Sequence, residues 1–121
     1  MSIAENIERL RAEIARAAEE SGRHGSDIKL VAASKMNGSD AVRQAVAAGV
    51  DACGENRVQE MLQKLSEHPY DGAPLHFIGH LQKNKVKNVV GNVDLIESAD
   101  SPELIGLISG RAEKLGRVQG I

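Results

Sequence analysis

Aromatic residues are nearly missing from this chain: Tyr70 and Phe77 are the only two among 121 residues, and there is no tryptophan. That scarcity removes the stacking platforms on which single-stranded nucleic-acid binders depend. It also leaves the core to Val, Ile, Leu and Ala. Cysteine is equally rare. A single Cys53 excludes an internal disulfide and any cysteine-based zinc site. Within an apolar strand it reads as a buried, inert thiol rather than a nucleophile. An excess of one charge is lacking too, since a net charge of −2 gives no field for general nucleic-acid or anionic-membrane binding. No apolar stretch approaches the roughly 18 residues of a membrane span, and the N-terminus is amphipathic rather than signal-like. A cytoplasmic location is therefore expected, with no membrane and no nucleic-acid partner. No Gly-x-Gly-x-x-Gly or Walker loop follows any apolar run, which withdraws support from the nucleotide-binding α/β folds.

What remains is a chain that is 41% hydrophobic and 26% charged, the balance of a globular protein, with a length suited to one domain over residues 1–121. Residues 2–20 predict an amphipathic helix. Ser2 caps it, Glu5 completes a capping box, and Ile3, Ile7, Leu10 and Ile14 share one stripe. Residues 28–33 then read as a buried strand, and a helix capped by Ser39 or Asp40 runs to Ala48 and stops at Gly49. The pattern repeats: strand 50–53, helix 55–66, strand 75–78, helix 81–90, strand 93–97. Ser101-Pro102-Glu103 opens a helix to about Leu115, and residues 117–121 begin a fifth strand. Strand and helix alternate every 20 to 25 residues or so, which implies parallel βαβ units with right-handed crossovers. Two architectures fit: part of a (β/α)8 TIM-type barrel with an extra N-terminal helix, or an open α/β layered sheet. No helix follows the fifth strand to cover its face.

Polar residues gather where these strands end. Ser34-Lys35 follows the first, Gly54-Glu55-Asn56-Arg57 the second, Gly79-His80 the third with His76 inside it, and Glu97-Ser98 the fourth. Parallel neighbours would bring these groups to one rim, the usual place for binding groups in α/β proteins. Lys35 is the most telling of them. A partly desolvated lysine loses its proton near neutral pH and attacks a carbonyl to give a Schiff base; a surface lysine closing a strand is the other reading. Asn56 serves as a ligand contact or as an ordinary helix cap, and Glu55 as the dipole partner of that helix. A zinc site from His76, His80 and Glu97 lacks characteristic spacing. The lysines between Gln82 and Asn88 read as a solvated basic helix face, with a phosphate or RNA role as the alternative.

Taken together, three strings resemble one family: Leu30 to Lys35 (Leu-Val-Ala-Ala-Ser-Lys), Ala48 to Glu60 with its Gly-Glu-Asn-Arg-Val-Gln-Glu end, and Leu75 to Lys85 with its His-Phe-Ile-Gly-His-Leu-Gln core. They look like the pyridoxal-phosphate homeostasis proteins, single-domain relatives of the alanine racemase N-terminal domain. The resemblance implies a (β/α)8 barrel with an extra N-terminal helix and pyridoxal 5′-phosphate at its C-terminal mouth. Lys35 would hold the cofactor as a Schiff base, with Asn56, His76 and Ser98 near it. The implied role is an intracellular carrier that buffers the cofactor and delivers it to apo pyridoxal-phosphate enzymes, without turnover. Two features depart from the family pattern. Met36-Asn37-Gly38 stands where many relatives have a further Lys or a Pro, and family members approach the roughly 250 residues of a full barrel. The remaining half would bring the phosphate cup and the group facing the pyridine nitrogen.

A half-barrel has open strand edges and an uncovered inner face, so a homo-oligomer is expected. Two rival readings are a truncated or engineered half-barrel without competent cofactor binding, and a racemase-type enzyme. The latter needs a second acid/base, for which Tyr70, in a loop, is a poor candidate.

Overall fold

In the computed structural model, which describes residues 2–121, helix α1 (Ile3–Glu20) begins where the Ser2 hydroxyl accepts the Glu5 N–H at 3.1 Å. The capping box is reorganised: the Glu5 carboxylate accepts the Ser2 hydroxyl rather than the Ser2 main-chain N–H. Of the predicted stripe, Ile7 is buried and Ile3 packs on the core, whereas Leu10 is exposed. Six shorter elements follow in strict alternation: β1 (Val31–Ala33), α2 (Ser39–Ala47), β2 (Ala52–Glu55), α3 (Val58–Leu65), β3 (Leu75–Phe77) and α4 (Val86–Val89). Then come β4 (Leu95–Ile96) and α5 (Pro102–Lys114), the latter capped by Ser101 with Pro102 in its first turn, as its sequence predicts.

All strands are parallel, in the order β1-β2-β3-β4, and Gly120 forms a single parallel bridge to Leu95 beyond β4. A sequential order has no point at which the winding reverses, so the doubly wound version of an open sheet is ruled out. The chain is a singly wound α/β segment. The two sheet faces differ accordingly. Ala32, Cys53, Glu55, Leu75, Phe77 and Ile96 point to the helices, where Val42, Met61, Val86, Val89, Leu104 and Ile108 complete one aliphatic core around the lone phenylalanine. Burial pushes the Cys53 thiol up, consistent with an inert core residue. The opposite face carries Val31, Ala33, Gly54, His76, Ile78 and Leu95, and Val31, Ile78 and Leu95 are only half-buried.

Several boundaries depart from expectation for identifiable reasons. The first strand starts three residues late: the Leu30 N–H goes to the Asp51 carboxylate at 2.7 Å. Gly38, not Ser39 or Asp40, occupies the N-cap of α2, and the Ser39 hydroxyl instead reaches Glu67 across the fold at 2.9 Å. The second strand extends through Glu55, which was expected to open a helix; α3 begins only at Val58, with Arg57 at its N-cap. The predicted helix 81–90 is a 3-10 turn (Lys83–Lys85) followed by the short α4, because Leu81 must first drop into the core and Gln82 is still extended. The predicted fifth strand is reduced to the Gly120 bridge, and Val118 is 97% exposed.

Arg11 of α1 pins the helix to the sheet by donating to the Gly49 carbonyl and pairing with Asp51 at 3.1 Å. The Leu30 N–H, with Arg11, outweighs burial and holds the Asp51 carboxyl below its ordinary value. A carboxyl lowered in the folded state contributes stability above its unfolded pKa of about 3.9 and loses it as pH falls through the folded value. The Asp51→Asn variant is therefore expected to flatten the acid limb of a stability–pH curve below about pH 4, as measured by urea titration at each pH.

Candidate functional site

The sheet register aligns the four strand exits at the C-terminal rim. Ala33, Gly54, His76 and Leu95 form one row across the open face, each strand about 4.8 Å from the next. One step on, the ladder continues from the Ser34 N–H to the Gly54 carbonyl at 3.2 Å. Ser34 is turned toward the helices, where its hydroxyl meets Glu55, and Lys35 follows it in the turn that leaves β1. Lys35 is exposed, and its ammonium has no hydrogen bond or ion pair among the described residues. The desolvation expected of it is not supplied by this chain.

Asn56 leaves β2 beside it, half-buried. It does not cap α3. Its main chain lies directly beneath Gly79: a β-carbon on Gly79 would sit 2.3 Å from the Asn56 carbonyl oxygen. That contact locks the β2 and β3 exits together. On β3, His76 Nδ1 meets Glu97 Oε2 at 2.9 Å, so a carboxylate from the next strand exit fixes the imidazole. Ser98 follows Glu97, and its hydroxyl is buried without a hydrogen-bond partner among the described residues. Such a group is costly unless a ligand takes it up. His80 is exposed and stays apart from the His76–Glu97 pair. No three His, Cys, Asp or Glu side chains converge as a metal ion requires among the described residues. On the basic segment, Lys83 pairs with Glu103 at 2.7 Å.

Sequence reading missed the strongest electrostatic feature of the rim. Glu55 is wholly buried, and its Oε2 accepts from Lys64 Nζ at 2.9 Å, from the Ser34 hydroxyl at 3.0 Å and from the Tyr70 hydroxyl. Lys64, itself buried, also pairs with Glu60 at 3.1 Å. Burial and the Glu55 carboxylate drive the Tyr70 hydroxyl far above its ordinary value, so it remains a protonated donor. That removes Tyr70 from consideration as an acid or base on the open face. Signals for this cluster existed: Glu60 and Lys64 at i,i+4, and one tyrosine in a chain nearly devoid of aromatics.

An exposed primary amine, an imidazole held by a carboxylate and an unsatisfied buried hydroxyl on one rim suit a ligand with a carbonyl and polar substituents. No protein-family model matches the chain. Among curated proteins it is 39% identical over 121 residues to the pyridoxal phosphate homeostasis protein of Aquifex aeolicus, covering 100% of this chain and 53% of that one. It is 36% identical over 107 residues to the Vibrio cholerae protein of the same name, covering 85% and 45%. The chain thus spans about half the length of the curated relatives it matches. Among solved structures, an unknown protein from Bifidobacterium adolescentis superposes with a TM-score of 0.88 at 36% identity, covering 97% of this chain and 52% of that chain. PipY of Synechococcus elongatus, solved with pyridoxal phosphate bound, superposes with a TM-score of 0.81 at 34% identity, covering 98% and 51%. The α/β segment described above is therefore a segment of the fold those proteins share.

Proposed function

We propose that this chain, a homologue of the pyridoxal phosphate homeostasis proteins over about half their length, binds pyridoxal 5′-phosphate at its strand-exit rim, with Lys35 as the reactive amine. When bound, the cofactor supplies an aldehyde that condenses with a primary amine and releases water. The chain's own residues supply the rest. Lys35 offers an exposed amine at the β1 exit. His76, fixed by Glu97, presents a flat polar wall one row further in. The Ser98 hydroxyl has a donor to give, and Asn56 lines the neighbouring exit. The observation that carries the reading is that an exposed Lys35 and an unsatisfied buried Ser98 hydroxyl stand at the β1 and β4 exits of the same sheet edge.

The role is that of a carrier without turnover. In support, Tyr70 is sealed behind the sheet by Glu55, and the curated relatives are named for homeostasis. Recipients would be apo enzymes that use the same cofactor, in the cytoplasm. No helix among the described residues is long and apolar enough to cross a membrane. Association with a second copy belongs to the same reading, since Val31, Ile78 and Leu95 leave an incompletely covered apolar face.

Titrating pyridoxal phosphate into the chain is expected to raise a new absorbance band near the visible edge. Borohydride reduction should then leave the pyridoxyl mass on Lys35. Both signals should vanish in Lys35→Ala. Equal, weak spectra from the two proteins would instead identify an inert half-barrel.

A further inference from the structure

Lys35 lies between two residues whose main chain is gripped from the helix side. Before it, the Ser34 carbonyl accepts from Lys64 Nζ at 3.0 Å, and the Ser34 hydroxyl donates to Glu55. After it, the Met36 N–H donates to Glu60 Oε1 at 2.7 Å. A single buried ammonium, Lys64, ties the two grips together through Glu55 and Glu60. The turn so held is strained: Met36 has φ 64, in the left-handed region that residues with a β-carbon rarely enter. Its side chain is 88% exposed, so no packing compensates. Strain of this kind persists only where the surroundings over-determine it. A surface turn needs no such support, and a purely structural ion pair has no reason to hold the main chain on both sides of one residue.

We propose that Glu55, Glu60 and Lys64 are positioning residues that clamp the strained turn at Ser34–Met36 and thereby fix where Lys35 leaves the sheet to meet a carbonyl ligand. The inference rests on the role proposed above for Lys35. The three act through the main chain of the turn, by the bonds to the Ser34 carbonyl and the Met36 N–H.

Three variants separate positioning from stability. Glu60→Ala removes the acceptor for the Met36 N–H, Glu60→Gln keeps an acceptor, and Met36→Gly relieves the strain while freeing the turn. Affinity for pyridoxal phosphate is expected to fall about tenfold in Glu60→Ala and in Met36→Gly, the scale on which a misplaced reacting group costs, while Glu60→Gln stays within about threefold of wild type. Met36→Gly should melt no lower than wild type, so its loss of affinity cannot be a loss of fold. A second readout needs no cofactor: the rate of reductive methylation of Lys35 by formaldehyde and cyanoborohydride, relative to exposed Lys87. That ratio should shift at least twofold or so in Glu60→Ala and Met36→Gly. Unchanged affinity and an unchanged methylation ratio in both variants would overturn the clamp, as would losses that merely track melting temperature. A wild-type chain that fails to bind pyridoxal phosphate sinks the proposed function, and the methylation ratio still decides the clamp.

Discussion

Replacing Lys64 with Met is expected to destabilise the chain by about 3–5 kcal/mol, the usual cost of removing one partner from a buried ion pair. Glu55 has no access to water, and Lys64 is its only positively charged partner among the described residues. Without Lys64, the Ser34 and Tyr70 hydroxyls would still donate to the carboxylate, but its charge would stay uncompensated. A small domain holds only about 5–15 kcal/mol in total, so the variant should be near the edge of folding. The double variant Glu55→Met with Lys64→Met removes the charge at both ends and should recover part of the loss, the rest being kept by the Ser34 and Tyr70 hydroxyls that lose their acceptor. Urea melts of the wild type, Lys64→Met and the double variant check this. If the double variant is no better than the single one, the cost lies in packing and in the orphaned Ser34 and Tyr70 hydroxyls rather than in unpaired charge.

The second large effect is expected at Gly79. An alanine there would place its β-carbon 2.3 Å from the Asn56 carbonyl oxygen and 2.8 Å from the Asn56 Cα. Both are main-chain atoms, so relief requires parting the β2 and β3 exits. The cost should reach the upper end of the ~1–3 kcal/mol typical of overpacking, and the rim geometry should be lost with it. Gly54→Ala is the control. Its β-carbon would meet the ends of the Ile78 and Val31 side chains, at 2.8 Å and 3.0 Å, and those can turn away. Thermal melts should therefore rank Gly79→Ala well below Gly54→Ala; the reverse order would show that the two exits move freely.

Much of this architecture is legible in the sequence, and the illegible part has a common cause. The caps at Ser2 and Ser101-Pro102 mark α1 and α5 because those helix ends depend on local chemistry. The alternation of strands and helices follows from hydrophobic periodicity and turn glycines. Boundaries fail where distant residues decide them. Asp51 takes the N–H that would have lengthened β1, and Glu67 takes the hydroxyl expected to cap α2. Glu55 is the sharpest case. A glutamate after an apolar run reads as the start of a helix, and only the folded chain brings Lys64, Ser34 and Tyr70 around it to make burial tolerable. At the rim, the motif residues stand at the exits their spacing suggests, but the Glu97 partner of His76 and the clamp around Lys35 belong to pairings across strands.

The sequential strand order has a kinetic consequence. Each strand pairs with the one synthesised just before it, and partners lie only roughly 20 residues apart along the chain, so no distant loop has to close before contacts reward it. The sheet can assemble by adding one βα unit at a time to an existing edge, in the order in which the units emerge from the ribosome.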